Sequence, residues 1–571
     1  MAERRGPVLL GGYAAKQCAR RTHNDWDPTI PAEPWEPSPE LQALFDGGIA
    51  FEEEVVARLK AILRKRVVDL GDAESKKGRI AGTVEAMSNA IEVILGGQLP
   101  DDVNGGRTGK PDLLVRTSRP GERPAYSPGD IKGHRIVKPV ASKSLRYSTP
   151  RHPADVKQAV GYVEEVAGCF GDFIQLGHYS RMLDSSGFGP DGDGRVGCII
   201  GTDALVDLDA SGLVLVWHDL TEPLFTTFSR TQGTRKRSAL ERYDHEHDFR
   251  VSVAKVARQQ TGTEADPAPL VIPIGQAECE SCPWEAYCGE VLGEDSASLA
   301  IQTGRLDVRE WLALERLGIT TTAELASVDV TDGAWTATYL PDVAHQGRKA
   351  LARLEQAVIR AGMIEAGEEL RRTTAGPLEV PVADIEIDVD IEWDAAGVVY
   401  LWGARIRRGQ DDGTAAYVPF VSWEVLDEEG EVRLAREFFD WLQGEFKRAA
   451  KKKQSLLVFH YSTPETSNLI RLIGEDECAD ALSHFVDLLA IMRQHFIGAH
   501  GLSIKKTAPA MGFEWRDEDP GGLQSQLWLQ TAREGDGDEA EQARSRVLAY
   551  NEDDVTATAA LRDGLRNWQE G

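Results

Sequence analysis

The chain has 571 residues, which is longer than one hydrophobic core usually organises, so several domains are expected. Hydrophobic residues make up 42% of it and charged residues 27%, and no apolar run reaches the roughly 20 residues of a membrane-spanning helix. The net charge of −28 excludes a broadly basic surface but not local carboxylate clusters that bind cations. The first 13 residues lack the features of a secretion signal, so we expect a cytoplasmic protein with no membrane partner.

A first group of candidate residues lies in the N-terminal part of the chain. A predicted helix carries Glu52, a predicted strand follows Asp112, and a second strand carries Asp130 and Lys132. Alternate residues of a strand share a face, so Asp130 and Lys132 lie together, and pairing of the strands brings Asp112 beside Asp130. Adjacent carboxylates ionise together only around a cation. The pattern therefore predicts a Mg²⁺ or Mn²⁺ site that activates water towards a phosphodiester.

These motifs resemble those of the PD-(D/E)XK nucleases of the RecB type. They run in the order Gly-x-x-Phe-Glu, Gly-x-Pro-Asp, Gly-Asp-x-Lys and, on a further predicted helix, Gln-x-x-x-Tyr over residues 158–162. The resemblance implies a restriction-endonuclease-like α/β core in residues 1–300. It implies the following site residues: Asp112 and Asp130 as metal ligands, Lys132 as a catalytic group, Glu52 as an accessory ligand and Gln158 as a supporting residue. Phe51 stands where many relatives have a histidine ligand. Alone, the Asp-x-Lys pattern is also that of a surface ion pair.

Three of the seven cysteines lie within ten residues, and the chain has no secretion signal, so a metal site is expected rather than a disulfide framework. Cys279, Cys282 and Cys288 supply three thiolates at spacings that suit a soft metal. One distant cysteine before the nuclease motifs and three after them resemble the iron–sulfur staple of RecB-type nucleases. That resemblance implies a 4Fe–4S cluster on Cys18, Cys279, Cys282 and Cys288. Structural Zn²⁺, which also accepts four cysteines, is the alternative.

Residues 301–375 are predicted to be a helical linker. Apolar periodicity indicates helices over 308–317, 322–327 and 345–361, with glycines between them. A helix–glycine–helix hairpin of this kind either contacts a nucleic-acid backbone through its main-chain amides or is a plain packing unit. The sequence leaves both readings open.

Residues 376–571 are predicted to form an RNase H-like α/β domain, since three meandering strands precede alternating helices and strands. Asp384 and Glu386 are predicted to share one face of the first strand, in the period-two pattern of residues 380–391. Glu465 begins a helix after a later strand, and Tyr550 and Asp554 lie one turn apart on the last helix. Residues 533–542 are predicted to form a mobile loop.

This second set of motifs resembles the DEDD exonucleases that carry a tyrosine. The resemblance implies Asp384, Glu386, Glu465 and Asp554 as ligands of two Mg²⁺ ions and Tyr550 as the residue that orients the attacking water. Glu465 departs from the aspartate that proofreading exonucleases usually have, and Asp487 is an alternative ligand or a helix cap.

The whole arrangement resembles a bacterial family of predicted RecB-family nucleases. We therefore expect a metal-dependent nuclease that cleaves DNA, in preference to RNA, at single-stranded or frayed ends, in DNA repair, recombination or defence. No Walker A motif is present, so any helicase or ATPase would be a separate partner subunit. Two alternatives remain: a catalytically degenerate nucleic-acid-binding scaffold, and a docking subunit of a helicase or defence complex.

Overall fold

The computed structural model describes residues 6–31, 35–165, 168–192, 194–229, 233–394, 396–516 and 522–568. Within these ranges no helix combines the length and the apolar character that crossing a membrane requires. Contacts divide the chain into two compact units. Unit 1 comprises Met1–Pro37, Leu44–Pro273 and Glu278–Val291, and unit 2 comprises Ser38–Ala43, Ile274–Ala277 and Leu292–Gly571. The predicted helical linker falls inside unit 2, and the three predicted domain boundaries stay a prediction.

Unit 1 is a mixed α/β unit. Its helices are α1 (Ala19–Trp26), α2 (Pro39–Leu63, of which 44–63 belongs to the unit), α3 (Lys76–Ser88), α4 (Phe170–Ser185), α5 (Ala239–Ala257) and α6 (Glu285–Leu292). Its strands are β1 (Val67–Asp69), β2 (Val93–Leu95), β3 (Leu113–Arg116), β4 (Tyr126–Ile131), β5 (Val137–Thr149), β6 (His152–Glu164), β7 (Val196–Ile200), β8 (Leu215–Asp219), β9 (Phe225–Ser229) and β10 (Gly233–Arg237).

Eight of these strands form one sheet in the order β1-β2-β3-β4-β7-β8-β5-β6, and β9 and β10 form a separate ribbon. Strand β3 alternates between two cores, as the two-residue period of a strand requires. Leu113 and Val115 pack in the cluster that contains Leu59 of α2, whereas Leu114 packs with Met182 of α4. The sheet is thus covered on both faces, and β3 pairs antiparallel with β4 as expected. This pairing positions the first candidate site.

Unit 2 begins with short helices and continues into a sheet domain. Its helices are α7 (Ala297–Ala300), α8 (Val308–Arg316), α9 (Thr322–Ala326), α10 (Gly333–Tyr339), α11 (Ala350–Glu365), α12 (Glu428–Lys452), α13 (Pro464–Ile473), α14 (Glu475–Leu482), α15 (Leu488–His495), α16 (Ile504–Thr507), α17 (Gly522–Glu534) and α18 (Gly537–Arg566). Its strands are β11 (Leu370–Arg372), β12 (Ile385–Trp393), β13 (Val399–Arg408), β14 (Asp411–Val421), β15 (Leu456–His460), β16 (Phe485–Asp487) and β17 (Phe496–Gly498).

Five strands of unit 2 form a sheet in the order β14-β13-β12-β15-β16. Strands β12, β13 and β14 are antiparallel neighbours, and β15 and β16 run parallel to β12. The predicted meander followed by alternating helix and strand is therefore confirmed.

The two faces of β12 differ in chemistry. Its isoleucines and Val389 enter a core cluster with Phe438 and Leu442 of α12. The alternate residues are acidic: Glu386, Asp388, Asp390 and Glu392. Side chains of α17 and α18 meet this acidic face. An alternating strand sequence thus produces one apolar face and one face that needs cations or hydrogen-bond donors.

Three local predictions are wrong. Residues 158–162 lie in strand β6 rather than on a helix, because the apolar residues that suggested a helix pair with β5 instead. Residues 533–542 are not a loop, since α17 reaches Glu534 and α18 begins at Gly537. Asp384 does not lie mid-strand, since β12 begins at the next residue.

Candidate functional site

Arginines neutralise the first half of the acidic face of β12. Glu386 accepts hydrogen bonds from Arg407 at 2.7 and 2.9 Å and from Arg566 at 2.7 Å. Burial raises the pKa of Glu386, but the hydrogen bond from Arg566, the charge of Arg562 and the hydrogen bond from Arg407 outweigh it, so the pKa lies below its ordinary value. Asp388 is fully buried and bonds Arg562. Both carboxylates therefore form ion pairs with arginines.

Among the described residues, no arginine forms an ion pair with Asp390 or Glu392 in the second half of the same face. Asp390 and Glu392 meet Asp554 of α18, and one carboxylate oxygen of each lies within 4.8 Å of those of the other two. Glu392 and Asp554 are each 8% exposed. Three buried or half-buried carboxylates at this separation form a set of hard oxygen donors that suits Mg²⁺ or Mn²⁺.

The three carboxylates of this cluster have raised pKa values because they are buried and lie close together. Burial, followed by the charge of Asp554, raises the pKa of Glu392 to about 8. Burial raises the pKa of Asp554 to about 6, although a hydrogen bond from Trp515 opposes the shift. The pKa of Asp390 is also raised well above its ordinary range, by burial and then by Asp554 and Glu392. A divalent cation would relieve this repulsion, so the donor set fits one.

Glu465 lies at the edge of the cluster. It is 3% exposed at the start of α13, and its charge contributes to the raised pKa of Asp390. Its Oε2 lies 3.6 Å from Nδ1 of His460 and has no hydrogen-bond partner among the described residues. Asp487, the alternative ligand, instead accepts from the backbone amides of Leu489 and Ala490 as the N-cap of α15. Glu465 is thus the fourth carboxylate that the fold brings near the cluster.

Hydrogen bonds hold the surrounding side chains. Asn551 donates from Nδ2 to Asp390 at 2.8 Å and accepts from the Tyr417 hydroxyl at 2.8 Å. Lys505 donates from Nζ to the hydroxyl of Tyr550 at 2.6 Å. Burial raises the pKa of Tyr550, and so do the nearby carboxylates, so its hydroxyl stays protonated. Trp515 donates its indole N–H to Asp554 at 2.8 Å.

The prediction that Asp384 and Glu386 are the ligands of the first strand is therefore corrected. Asp384 is exposed and bonds the backbone and hydroxyl of Ser455, and Glu386 is held by arginines. The tripeptide Asp-Ile-Glu occurs twice, at 384–386 and again at 390–392. That repetition was the available signal, and only the second copy faces Asp554. Asn551, Lys505 and Trp515 carry no motif that could have identified them.

Unit 1 contains the first predicted constellation. Asp112 accepts from the amide of Ile131 at 2.8 Å, and burial followed by the charge of Asp130 raises the pKa of Asp112 well above its ordinary range. Lys132 lies 2.5 Å from Asp130, from Nζ to Oδ2. Burial lowers the pKa of Lys132, but Asp130 more than reverses this, so the pKa is raised. Glu52 contributes to the raised pKa of Asp112 and lines a surface pocket with Lys60, Asp69 and Lys110.

The glutamine that lies beside Asp130 and Lys132 is Gln175, and Gln158 lies elsewhere. Gln158 is exposed on β6, whereas Gln175 of α4 is 2% exposed. Gln175 accepts from Lys132 at 3.1 Å, and its Nε2 lies 3.5 Å from Asp130. Residues 175–179 repeat the Gln-x-x-x-Tyr spacing of residues 158–162, this time on a helix, and the hydroxyl of Tyr179 donates to the Lys110 carbonyl.

The segment before α1 adds two side chains that sequence reasoning missed. Lys16 donates to Oε1 of Gln175 at 2.8 Å and lies 4.3 Å from the centre of the Tyr13 ring. Burial, and then the charge of Lys132, lower the pKa of Lys16 to about 8. His134, Cys169 and Asp172 are a further group whose ligand atoms lie within 4.8 Å of one another.

The four predicted cysteine ligands come from two distant segments of unit 1. Cys18 precedes α1, Cys279 lies in a short 3-10 turn with Cys282 just after it, and Cys288 lies on α6. The thiols of Cys18 and Cys279 act electrostatically on both Cys282 and Cys288. The amide of Cys18 donates to Glu278 at 2.6 Å, and Trp284 donates to Asp25 at 2.8 Å. All four thiols are half-buried, and burial raises the pKa of Cys282 to about 11.

Comparison with known proteins identifies part of unit 2. Residues 389–566 match the family model RNase_H_2 of the RNase H superfamily. The match begins one residue before Asp390 and includes Glu392, Glu465, Tyr550 and Asp554. It leaves Asp384 and Glu386 outside. No curated protein and no solved structure matches the sequence.

Proposed function

We propose that this chain is a metal-dependent nuclease and that its RNase H-like domain cleaves phosphodiester bonds at Asp390, Glu392 and Asp554. The observation that carries the proposal is that these three carboxylates lie close together inside the segment that matches the RNase H superfamily. Burial and the charge of Asp554 raise the pKa of Glu392, as expected for carboxylates that lack a cation. Glu465 would complete a four-carboxylate set. The cations held there would activate water and neutralise charge on the phosphate.

The chain's own residues would prepare this chemistry. Asn551 fixes the orientation of Asp390 through its 2.8 Å bond. The hydroxyl of Tyr550 accepts from Lys505 and keeps its own proton, so it can donate to an attacking water. The four carboxylates of β12 have two roles in this proposal. Glu386 and Asp388 bind arginines, and Asp390 and Glu392 would bind cations.

The two Asp-Ile-Glu copies provide the test. In an Asp130→Asn background, which removes the second site proposed below, we expect Asp390→Asn to lower the Mg²⁺-dependent cleavage of labelled single-stranded DNA and RNA by at least about a hundredfold. Asp384→Asn is the matched control, because that carboxylate is exposed and bonds only Ser455 among the described residues. Loss of cleavage in Asp384→Asn with full activity in Asp390→Asn would overturn the assignment. Cleavage that survives EDTA would overturn the metal mechanism.

We propose a second nuclease site in unit 1, of the PD-(D/E)XK type. Its support is the contact of Asp112, Asp130 and Lys132 at paired strands β3 and β4, with Gln175 above them. Asp112 and Asp130 would hold Mg²⁺ or Mn²⁺, Glu52 would assist, and Lys132 would stabilise developing negative charge. Asp130→Asn in an Asp554→Asn background should abolish the cleavage that remains. Unchanged products would contradict this site.

We further propose that Cys18, Cys279, Cys282 and Cys288 hold a 4Fe–4S cluster, with Zn²⁺ as the alternative. Four half-buried thiols within electrostatic range of one another are a soft donor set. Such a group would join segments about 260 residues apart in sequence and so stabilise unit 1. Anaerobic purification should give a brown protein that contains iron and sulfide, and Cys282→Ser should lose them. Cys478→Ser, in the core of unit 2, should not. Zinc without iron would refute the cluster.

The substrate is proposed to be DNA at single-stranded or frayed ends, and the pathway repair, recombination or defence. A catalytically degenerate scaffold, or a docking subunit of a helicase complex, remains the alternative function. The retained carboxylates favour the enzyme, because buried acids without a cation destabilise a fold. Absence of any cleavage by the purified chain, together with capture of an ATPase subunit, would favour the docking role.

A further inference from the structure

Two lysines lie beside Asp130 in unit 1, and only one of them, Lys132, has a role in the site proposed above. Lys16 reaches the site from the segment before α1, and Lys132 follows strand β4. Their ammonium groups share one acceptor, Oε1 of Gln175, at 2.8 and 3.1 Å. Their side chains are only 17% and 12% exposed. Two ammonium groups this close together repel each other, so a negatively charged group nearby would stabilise both.

The compensation of Lys16 is incomplete. Lys132 has a close ion pair with Asp130 at 2.5 Å, whereas Lys16 has only a long ion pair with Asp172, at 3.9 Å. The charges of Asp130 and Asp112 also act on Lys16 electrostatically. Asp172 is also shared, because Lys132 lies 3.7 Å and His134 3.1 Å from its oxygens. The other contacts of Lys16 are neutral: Gln175 and the Tyr13 ring. The carboxylate of Asp172 is thus shared by Lys16, Lys132 and His134.

The backbone holds Lys16 in this position. The amide of Leu10 donates to Gly106 at 2.9 Å, and the amide of Thr108 donates to Leu10 at 3.0 Å. Helix α1 begins a few residues later, at Ala19, so the segment that carries Tyr13 and Lys16 is fixed at both ends. A long side chain restrained in this way loses less freedom when it binds a ligand than a lysine on an open surface.

We propose that Lys16 and Lys132 form an anion site for a backbone phosphate of a nucleic acid, with Lys16 as a positioning residue for the strand cleaved at Asp112 and Asp130. The proposal rests on the second nuclease site proposed above. Phosphate oxygens would take the place beside Lys16 that no carboxylate fully occupies, and an ammonium group is a common phosphate ligand.

Salt-dependent binding is the decisive measurement. Each phosphate neutralised by a lysine contributes about 0.7 to the slope of log Kd against log salt for a single strand. With EDTA present, binding of a labelled single-stranded oligonucleotide should show a slope smaller by about 0.7 in Lys16→Met than in the wild type. Lys16→Arg, which keeps the charge, should restore the slope. Lys65→Met is the matched control, because Lys65 is exposed on a short 3-10 turn.

Cleavage separates this proposal from the one on which it rests. In the Asp554→Asn background, Lys16→Met should raise KM about tenfold with a smaller change in kcat, since a phosphate contact outside the reacting atoms acts mainly on binding. An unchanged salt slope and unchanged KM in Lys16→Met would overturn the anion site. If instead Asp130→Asn cleaves like its parent, the nuclease site fails, while the salt slope still decides whether Lys16 binds phosphate.

Discussion

Opposing side chains decide the role of each carboxylate. Glu386 and Asp390 lie on the same face of the same strand, four residues apart. Arginines face the first and hold its pKa low, whereas burial, and then the charge of Asp554, raise the pKa of the second. The same residue chemistry therefore forms ion pairs at one end of β12 and the proposed cation site at the other.

Gln175 is expected to support cleavage in unit 1. Its amide bridges Lys16 and Lys132 and approaches Asp130, so Gln175→Ala would leave both lysines without their shared acceptor. We expect a loss of about 10- to 100-fold in cleavage, the usual effect of removing a residue that orients a metal site. The assay is Mg²⁺-dependent cleavage in the Asp554→Asn background.

Gln158→Ala is the control for that experiment, because Gln158 is exposed on β6 and has the same residue type and motif spacing. It should cleave like its parent. Equal losses in both variants would mean that the choice between the two glutamines is wrong.

Helix α18 combines two functions along its length. Its middle carries Asn551 and Asp554 at the carboxylate cluster, and its last turns carry Arg562 and Arg566 at the ion-paired end of β12. A slip of one residue in β12 would exchange its acidic and apolar faces.

Gly403 of β13 makes this packing possible. A Cβ at Gly403 would come within 1.6 Å of Oδ1 of Asn551, so Gly403→Ala must displace the side chain that holds Asp390. Loss of a hydrogen bond to a charged group removes about 1.5–3 kcal/mol, so we expect at least about a tenfold fall in kcat/KM at the RNase H-like site.

Gly362→Ala serves as the control for Gly403→Ala. Gly362 lies in helix α11, and a Cβ there meets nothing within 4 Å. It should keep full activity with equal or higher stability, since alanine favours a helix more than glycine does. Activity of Gly403→Ala equal to this control would show that Asn551 does not position Asp390.

At the scale of the molecule, acid should weaken unit 1 through two buried histidines. His178 bonds the hydroxyl of Tyr243 at 2.9 Å and the carbonyl of Thr108 at 3.1 Å, and His247 bonds the carbonyl of Gly105 at 2.9 Å. Burial lowers the pKa of His178 to about 3 and that of His247 to about 4. The unfolded chain takes up protons near pH 6.5, whereas the folded unit must keep both rings neutral.

The free energy of unfolding should therefore be highest above about pH 6.5 and fall as the pH decreases towards 4, by at most about 1.4 kcal/mol per pH unit for each histidine. Urea midpoints between pH 4.5 and 7 measure this slope. His247→Asn should flatten it, and His245→Asn, at an exposed position of the same helix, should not. A slope that His247→Asn leaves unchanged would contradict the assignment.

Much of this architecture is readable from the residues alone, because local periodicity reflects local backbone geometry. Alternation in β12 and β13, the strand pair that carries Asp112 and Asp130, and the one-turn spacing of Tyr550 and Asp554 all follow from the two- and 3.6-residue periods. The RNase H-like order of elements was predicted for the same reason, and the family match over 389–566 confirms it.

Tertiary structure alone decided between repeated motifs. The two Asp-Ile-Glu copies are identical in sequence, and the difference between them is made by Arg566 and Asp554, each more than 160 residues away. The two Gln-x-x-x-Tyr copies differ because pairing with β5 places the first in a sheet, whereas packing of α4 aims the second at Lys132. Burial and opposing charge arise only when distant segments meet, and no period in the chain encodes them.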